Sequence, residues 1–352
     1  MRILDALDIP IVLAPMAGGA GTPRLAAAVS DAGGLGFLAA GYLTADALRE
    51  QIGQLRELTD RPFGVNVFVL GDPAVDVEAV GRYRDRLGAE ALRYGVELGD
   101  PVGDDDHWDA KLAVLHDERV PLVSFTFGCP AAEVLASLRA AGTESAVTVT
   151  SAAEARLAAA AGADALVVQG PEAGAHRGSF DNEHRGDDLG LLALLRQVGA
   201  ASDLPLIATG GLAHGRDVAA VLAAGARAAQ LGTMFLACPE SDASAPHKAA
   251  LTDPAFSRTA VTRAFSGRPP RGLVNRFMVE HGEAAPAAYP HVHHLTKGVR
   301  RAAAQADDPH AMSLWAGQGH AFAVAAPAAD VARTLARQAR EALAEAAERW
   351  AR

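Results

Sequence analysis

The stretch ALVVQGPEAGAHRG at residues 165–178 joins an apolar run to a glycine-rich loop. Its first four residues, Ala165 to Val168, have the composition of a buried β-strand. The loop that follows carries one histidine and one arginine, His176 and Arg177, between glycines. Such a sequence is typical of an α/β barrel, in which polar groups are presented at the carboxyl ends of buried strands. The stretch therefore predicts both a parallel barrel and the position of a functional site.

Eight apolar runs of this kind recur along the chain and alternate with segments of helical period. The predicted strands are Pro10–Pro15, Leu35–Ala39, Phe63–Phe68, Leu122–Phe127, Ala146–Thr150, Ala165–Gln169, Leu206–Thr209 and Ala228–Leu231. The predicted helices between them include Pro23–Asp31, Ala45–Leu58, Ala131–Ala141, Ala152–Ala161, Gly190–Gly199 and Gly215–Ala224. Eight β/α units predict an α/β protein with a (β/α)8 TIM-barrel fold. A doubly wound open sheet is disfavoured, because no strand is followed by a Gly-x-Gly-x-x-Gly motif with an acidic residue downstream.

Two regions interrupt the alternation of strands and helices. Residues 71–118 contain a charged helical stretch, and residues 239–300 are rich in proline. We expect 71–118 and 239–300 to form a smaller, mostly helical cap domain, a lid over the active site. The barrel is then predicted to comprise residues 1–70, 119–238 and 301–352. Its last segment, Ala328–Arg352, is predicted to be an amphipathic helix on the outside.

Composition excludes several classes of protein. Half of the 352 residues are hydrophobic and 21% are charged, and the net charge is −10. An acidic chain without clustered Lys and Arg is not expected to bind nucleic acid. No apolar run is long enough to cross a bilayer, and the first ten residues lack the features of a signal peptide. The only cysteines, Cys129 and Cys238, are far apart in sequence, so we expect a reduced, cytoplasmic protein without a disulfide framework. We expect no membrane partner, and a homodimer is left open.

Small and amide residues lie at the ends of several predicted strands, where a barrel carries its active site. They are Ala14-Pro15-Met16-Ala17-Gly18-Gly19, Asn66, Ser124-Phe125-Thr126-Phe127-Gly128, Gln169-Gly170, Gly174-Ala175-His176-Arg177-Gly178, Thr209-Gly210-Gly211 and Gln230-Leu231-Gly232-Thr233. The glycines of the last two groups allow backbone N–H groups to approach a phosphate.

A planar redox ring with a phosphate tail accounts for this set of residues. Asn66 and Gln169 can donate and accept hydrogen bonds along the edge of an isoalloxazine ring. Met16 offers a soft apolar contact to a ring face. His176 can act as a base, an acid or a hydrogen-bond donor near neutral pH.

The ordered set of motifs resembles the nitronate monooxygenase family, formerly called 2-nitropropane dioxygenases. The resemblance runs through the groups above to Ser266-Gly267-Arg268 and Trp315-Ala316-Gly317-Gln318-Gly319, in the same order along most of the chain. It implies an FMN-containing barrel that oxidises alkyl nitronates, for example propionate 3-nitronate, with O₂ to a carbonyl compound and nitrite. It also implies that His176 faces the substrate. The FMN contacts predicted from the strand ends and the resemblance together are Met16, Gly18, Asn66, Gln169, Gly174, Gly210, Gly211, Gln230, Leu231, Gly232 and Thr233.

Two elements are similar to the bacterial class of the family, which acts on nitronates without a nicotinamide cofactor. They are residues 124–128 and the segment from Tyr289-Pro290 to Leu295-Thr296. The chain departs from the family at Ala175, where the loop usually has glycine, and in its histidine-rich run His291-Val292-His293-His294. Both departures concern substrate fit.

Alternatives remain at the level of single residues and of function. The three histidines of 291–294 lack a carboxylate or cysteine at a metal-site spacing, so we predict no metal site and a role at the rim or lid. Arg268 is either a surface residue or closes over the ligand, and Asp104–Asp106 is predicted to be a solvated turn. An NAD(P)H-dependent flavin reductase of quinones or enoyl thioesters on the same barrel is the alternative function. A non-redox barrel, such as a sugar-phosphate isomerase, is disfavoured because His176 has no convincing acid–base partner.

Overall fold

Eight parallel strands form a closed barrel in the computed structural model, which describes residues 1–71, 75–183 and 189–352. The barrel strands are β1 (Ile11–Leu13), β2 (Gly36–Ala39), β3 (Phe63–Phe68), β4 (Leu122–Thr126), β5 (Glu144–Val149), β6 (Ala165–Gln169), β8 (Leu206–Thr209) and β9 (Ala228–Leu231). They are ordered β1-β9-β8-β6-β5-β4-β3-β2, and a parallel bridge between Val12 and Leu35 joins the two ends. The (β/α)8 barrel predicted from the alternation of strands and helices is thereby confirmed.

Helices alternate with the barrel strands, and several of them pack against the sheet. They are α1 (Arg2–Asp5), α2 (Pro23–Asp31), α3 (Ala45–Leu58), α4 (Val77–Arg86), α5 (Gly88–Tyr94), α6 (Trp108–Asp117), α7 (Ala132–Ala140), α8 (Ala152–Ala161), α9 (Leu191–Ala201), α10 (Gly215–Ala223), α11 (Thr233–Leu236), α12 (Ala245–Ala250), α13 (Arg276–His281), α14 (His291–Gln305) and α15 (Ala328–Trp350). Short 3₁₀ turns lie at Pro254–Phe256, Pro309–Ala311 and His320–Phe322. No helix in the described ranges is long and apolar enough to cross a membrane.

The barrel strands are buried on both faces, which explains why they read as nearly continuous apolar runs. Side chains such as Val12, Phe37 and Ile207 fill the barrel interior, and a larger apolar layer separates the strands from the helices. The predicted external helix α15 packs on α10. Glycine is required at this contact, because a Cβ on Gly215 would lie 2.3 Å from the Cβ of Gln338.

A three-stranded antiparallel sheet, which the sequence patterns did not predict, lies outside the barrel. It is ordered β10-β11-β7, with β7 at Ala175–His176, β10 at Thr259–Val261 and β11 at Pro270–Leu273. Residues 239–300 were expected to be mostly helical, yet they contribute two of these strands. The apolar alternation in β10 and β11 is too short to stand out against the surrounding prolines. The sheet fixes the loop that carries His176 to a segment about 90 residues further along the chain.

The two regions predicted to form a cap are in contact with each other. Helices α4 and α5 from the first region pack on α14 from the second, and the amide of Gly99 donates to the carbonyl of Leu295 at 3.1 Å. Helix α14 continues past the predicted boundary at residue 300 without interruption. Residues 72–74 of the first region lie outside the described residues, and the division into barrel and cap stays a prediction.

Candidate active site

A cavity of about 430 Å³ opens at the carboxyl ends of the barrel strands, within the size range of small-molecule sites. Every residue predicted to contact a cofactor or substrate lines it: Met16, Gly18, Asn66, Gln169, Gly174, His176, Gly210, Gly211, Gln230, Leu231, Gly232 and Thr233. The barrel topology explains this convergence, because parallel strands deliver their carboxyl ends to one face. The individual roles assigned to these residues stay predictions.

One part of the cavity wall is made largely of backbone. We call it the glycine rim, and it comprises residues 14–19, 210–211 and 232–233. Gly210 and Gly211 have φ values of +125° and +70°, which side chains rarely adopt. A Cβ on Gly211 would also lie 2.7 Å from the Cβ of Glu172. The part of the rim at Gly210 and Gly211 is therefore bare of side chains and has a defined backbone conformation.

The amide of Asn66 is held by the neighbouring strand. Its Nδ2 lies 2.9 Å from the hydroxyl oxygens of Ser124 and Thr126 and 3.2 Å from the carbonyl oxygen of Ser124. Thr126 in turn is 3.2 Å from the hydroxyl of Thr148. In the described part of the chain no bond to Oδ1 of Asn66 is found, so this oxygen remains available to a ligand at the cavity wall.

Gln169 uses its amide to fasten the loop that follows strand β6. Its Nε2 donates to the carbonyl of His176 at 3.1 Å, and its Oε1 accepts from the amide of Gly178 at 2.8 Å. Gln169 thus positions the His176 loop, a role that the sequence did not predict. The predicted contact of Gln169 with the edge of a flavin ring stays a prediction.

His176 lies on strand β7, opposite Pro270 of β11. Its Nε2 is 2.9 Å from the hydroxyl oxygen of Ser266, and that hydroxyl lies 3.2 Å from the carbonyl of Arg268. The preceding Ala175 has φ +61°, a left-handed conformation that favours glycine. A left-handed backbone accounts for the glycine that the family resemblance leads us to expect at this position.

The imidazole of His176 is neutral at physiological pH. Burial, together with the guanidinium groups of Arg268 and Arg300, lowers its pKa to about 3. A neutral imidazole can donate one hydrogen bond and accept another, but it carries no charge of its own. The positive charge in this part of the cavity therefore comes from the arginines.

Arg268 and Arg300 are guanidinium groups without carboxylate partners in the ranges that the structure describes. Arg268 is 5% exposed, donates to the carbonyl of Ser179 and stacks 4.0 Å above the ring of Phe127. Arg300 lines the cavity and donates to Thr296 at 3.1 Å and to the carbonyl of His293 at 2.8 Å. Burial lowers the pKa of both groups, that of Arg268 to about 10.

Among the residues that the structure describes, neither guanidinium lies within ion-pair distance of an acidic side chain. A buried charge without a close counter-ion is costly, and an anionic ligand lowers that cost. The alternative in which Arg268 is a surface residue is wrong, because it is buried.

Aromatic rings form the side of the cavity next to His176. We call Tyr42, Phe68, Phe127, Tyr289 and His293 the aromatic wall. Successive rings touch in tilted, edge-on or stacked geometry, with centroids 4.2–5.6 Å apart. The closest pair is Tyr42 and His293, which stack with 4° between their planes. Rings packed in this way exclude water and hold one another in place.

The histidines of residues 291–294 do not act together. His293 stacks in the aromatic wall, and burial together with Arg300 lowers its pKa. His294 pairs with Asp104 at 2.5 Å, and His291 lies beside Gly103. Within the described ranges, the one group of three close metal-ligand side chains is Glu90, Glu280 and His281. Arg276 already binds both of its carboxylates, so it is an ion-pair cluster.

The acidic turn at residues 104–106 differs from its prediction. Asp104 binds His294, and Asp106 is only 8% exposed, 2.7 Å from the buried Lys111. The prediction of a solvated turn is therefore wrong for Asp106, because Lys111 on helix α6 draws it into the interior.

Sequence patterns missed Tyr42 and Arg300. Tyr42 follows strand β2 by three residues, so it satisfies the strand-end rule that located the other groups. Arg300 lies four and seven residues after Thr296 and His293, on the same face of α14. Helical spacing places these residues together, but it does not show that the shared face turns toward a cavity.

Comparison with known proteins finds similarity to nitronate monooxygenases over nearly the whole chain. A sequence profile of nitronate monooxygenase matches residues 2–338. The nitronate monooxygenase of Pseudomonas aeruginosa is 41% identical over 354 aligned residues, covering 96% of this chain and 98% of its own. The nitronate monooxygenase of Paraburkholderia phytofirmans is 40% identical over 347 residues, covering 97% and 94%.

Solved structures extend the comparison to three dimensions. The nitroalkane oxidase of Streptomyces ansochromogenes is 56% identical, with a TM-score of 0.96 and coverage of 98% of this chain and 99% of its own. FabK of Thermotoga maritima is 30% identical, with a TM-score of 0.77 and coverage of 99% and 98%. The barrel and its surroundings are thus shared in full with the former, and with greater deviation with the latter.

Proposed function

The chain belongs to the nitronate monooxygenase family, a family of oxidoreductases, and we propose that it oxidises alkyl nitronates with FMN and O₂ to a carbonyl compound and nitrite. One observation carries the proposal. The glycine rim, the His176 imidazole and two guanidinium groups without an acidic side chain at ion-pair distance all belong to, or lie beside, a single cavity among the described residues. The glycine rim suits a cofactor that bears a phosphate, and the guanidinium groups near His176 suit an anionic substrate.

FMN fits the residues that line the cavity. The bare backbone at Gly210, Gly211 and Gly232 suits its phosphate, since a Cβ on Gly232 would already lie 3.3 Å from that of Ala14. Asn66 offers a free amide oxygen, and Met16 a polarisable thioether. When bound, the cofactor supplies electron transfer between the nitronate and O₂.

The guanidinium groups favour an anion. A nitronate carries a negative charge before the reaction starts, so it needs placement and charge compensation rather than a strong base. Arg300 is the cation that lines the cavity, and it forms no ion pair with an acidic residue in the described part of the chain. Propionate 3-nitronate, which has a carboxylate in addition, is the substrate that we propose on this ground.

His176 is proposed to hold a nitro oxygen. The hydroxyl oxygen of Ser266 lies within hydrogen-bond distance of both His176 Nε2 and the carbonyl of Arg268. Its single hydrogen can be donated to only one of them. If Ser266 donates to Nε2, the ring proton is on Nδ1 and can be donated to a ligand. Because an anionic oxygen requires a donor, this is the tautomer that suits a nitronate. With neutral nitroalkanes the same imidazole would serve as the base in its other tautomer, which presents an unprotonated Nδ1.

The purified protein tests the proposal directly. We expect a bound-flavin spectrum, rapid bleaching by propionate 3-nitronate without oxygen, and nitrite release in air. Anaerobic NADH and NADPH are the matched additions, and we expect them to bleach the flavin far more slowly. Fast bleaching by either nucleotide with no response to nitronate would instead establish the reductase. A colourless protein that takes up no FMN would rule out both the nitronate oxidase and the reductase.

A further inference from the structure

Tyr42 has a backbone conformation that large side chains rarely adopt, with φ +69°. Its ring lines the cavity and stacks on His293 with 4.2 Å between centroids, and its hydroxyl accepts a hydrogen bond from Tyr289 at 3.1 Å. More than a third of its surface is accessible. A strained residue at a cavity persists only if its surroundings hold it.

The contact that holds the Tyr42 backbone comes from Asp106, which does not line the cavity. Asp106 Oδ1 accepts the Tyr42 amide hydrogen at 2.9 Å. Its second oxygen, Oδ2, lies 2.7 Å from Nζ of Lys111, and the two side chains are 8% and 1% exposed. The carboxylate thus joins the backbone of a cavity residue to an ammonium group in the protein interior.

Lys111 connects this pair to a rigid part of the fold. It lies in helix α6, which packs on α3 and on barrel strand β3. Burial raises the pKa of Asp106, and the hydrogen bond and charge of Lys111 oppose that rise and so favour the ionised carboxylate. An ionised carboxylate accepts a stronger hydrogen bond from an amide than a neutral group does. Asp106 and Lys111 therefore connect the Tyr42 backbone to helix α6, which packs against the barrel.

We propose that Asp106 and Lys111 are positioning residues that hold Tyr42 in the aromatic wall and so set the affinity of the cavity for its substrate. The inference rests on the proposed function, because nitronate oxidation is its kinetic readout. Neither residue touches the cavity, so neither takes part in the chemistry. Their loss should raise KM and leave kcat and flavin content nearly unchanged.

Two double variants test the proposal without leaving a buried charge unpaired. Asp106→Asn with Lys111→Met keeps an oxygen that accepts the Tyr42 amide, whereas Asp106→Ala with Lys111→Met removes it. Both remove the two charges together, which folded proteins tolerate better than the loss of one. We expect the Asn pair to keep KM within about threefold of wild type and the Ala pair to raise it about tenfold, as for one lost hydrogen bond.

The same two pairs in a Tyr42→Gly background separate positioning from general damage. Glycine adopts φ +69° without strain and has no ring to place. We expect the difference in KM between the Asn and Ala pairs to disappear there. Equal KM values for the two pairs when Tyr42 is present, or a difference that persists in the Tyr42→Gly background, would overturn the proposal.

Crystal structures of the two double variants give a readout that does not depend on turnover. We expect the Tyr42 ring to stay on His293 in the Asn pair and to leave it in the Ala pair. An unmoved ring in the Ala pair would end the inference even if the enzyme oxidises nitronates. A wild-type protein without nitronate oxidation would end the proposed function and leave the structural result standing.

Discussion

The glycine rim and the aromatic wall line one cavity but are built in opposite ways. The rim is backbone at the ends of barrel strands, and its shape is set by positive φ angles such as that of Gly211. The wall consists of aromatic side chains at or near strand ends, of Tyr289, and of His293 in helix α14, and it is held by ring contacts and by Asp106. The barrel alone defines the first surface, whereas the second depends on how distant segments pack. We therefore expect substitutions in the rim to abolish cofactor binding and substitutions near the wall to change rate or affinity by degrees.

The largest effect is expected from Gly211→Val. Valine at φ +70° is strained, and its Cβ would meet that of Glu172. We expect flavin affinity to fall about 100-fold or more, so that the protein is purified without its chromophore. Absorbance of bound flavin per protein measures this loss.

Gly225→Val is the matched control. Gly225 has φ +104°, but no heavy atom lies within 4 Å of its Cβ position, and it does not line the cavity. The Gly225→Val substitution should lower the midpoint of thermal unfolding and leave the bound flavin per protein unchanged. Equal flavin loss in both variants would show that the rim has no special role.

Next in size is His176→Asn, which removes the neutral imidazole and keeps a smaller polar side chain. We expect kcat on propionate 3-nitronate to fall about 100-fold, as for the loss of one positioned donor. Ser266→Ala should cost less, about fivefold, because it removes only the hydroxyl that contacts the imidazole at Nε2. Stopped-flow reduction of the flavin measures both. Wild-type rates for His176→Asn on the nitronate and on its parent nitroalkane would refute the role.

A smaller effect is expected from Arg300→Met. We expect KM for propionate 3-nitronate to rise about 10- to 50-fold, since a bond to a charged group is lost, and KM for an alkyl nitronate without a carboxylate to rise less. Arg301→Met is the control, because Arg301 is exposed on the same helix and the change in net charge is identical. If both variants behave alike, long-range charge rather than a direct contact explains the effect.

The smallest effect concerns stability against pH. The pKa of His176 is about 3 in the fold and 6.5 in an unperturbed histidine, so between these values the unfolded chain binds more protons. Stability contributed by the neutral imidazole is therefore present above pH 6.5 and is lost as the pH falls toward 3. We expect the thermal midpoint to drop by a few degrees between about pH 7.5 and about pH 5.

His176→Asn should make that drop smaller, and it should not become zero, because the pKa values of His247 and His293 are lowered as well. His116→Asn, at an exposed position of α6, is the control. An identical pH dependence in all three proteins would show that the buried imidazole of His176 makes no contribution.

The same contrast explains what could be predicted from sequence. All eight barrel strands and helices such as α2, α3 and α8 were located within about two residues, because apolar period and helix-ending glycines are local signals. The glycine rim was located for the same reason. Arg300 and the Asp106–Lys111 pair were missed or misjudged, because their surroundings are created only by tertiary packing. Tyr42 was missed although it follows a strand end, because the sequence does not show that it lines the cavity. Strands β10 and β11 were missed because three or four residues carry too little periodicity.

His176 owes its location to a pairing between two loops, since β7 is hydrogen-bonded to β11 and not to any barrel strand within the described ranges. Strand pairing within the barrel therefore does not fix where the imidazole sits, although the side chain of Gln169 at the end of β6 also holds its loop. Exchanging residues 259–273 between homologues could redirect that group over the same cofactor, which makes this small sheet the natural unit for grafting when a new reactivity is engineered.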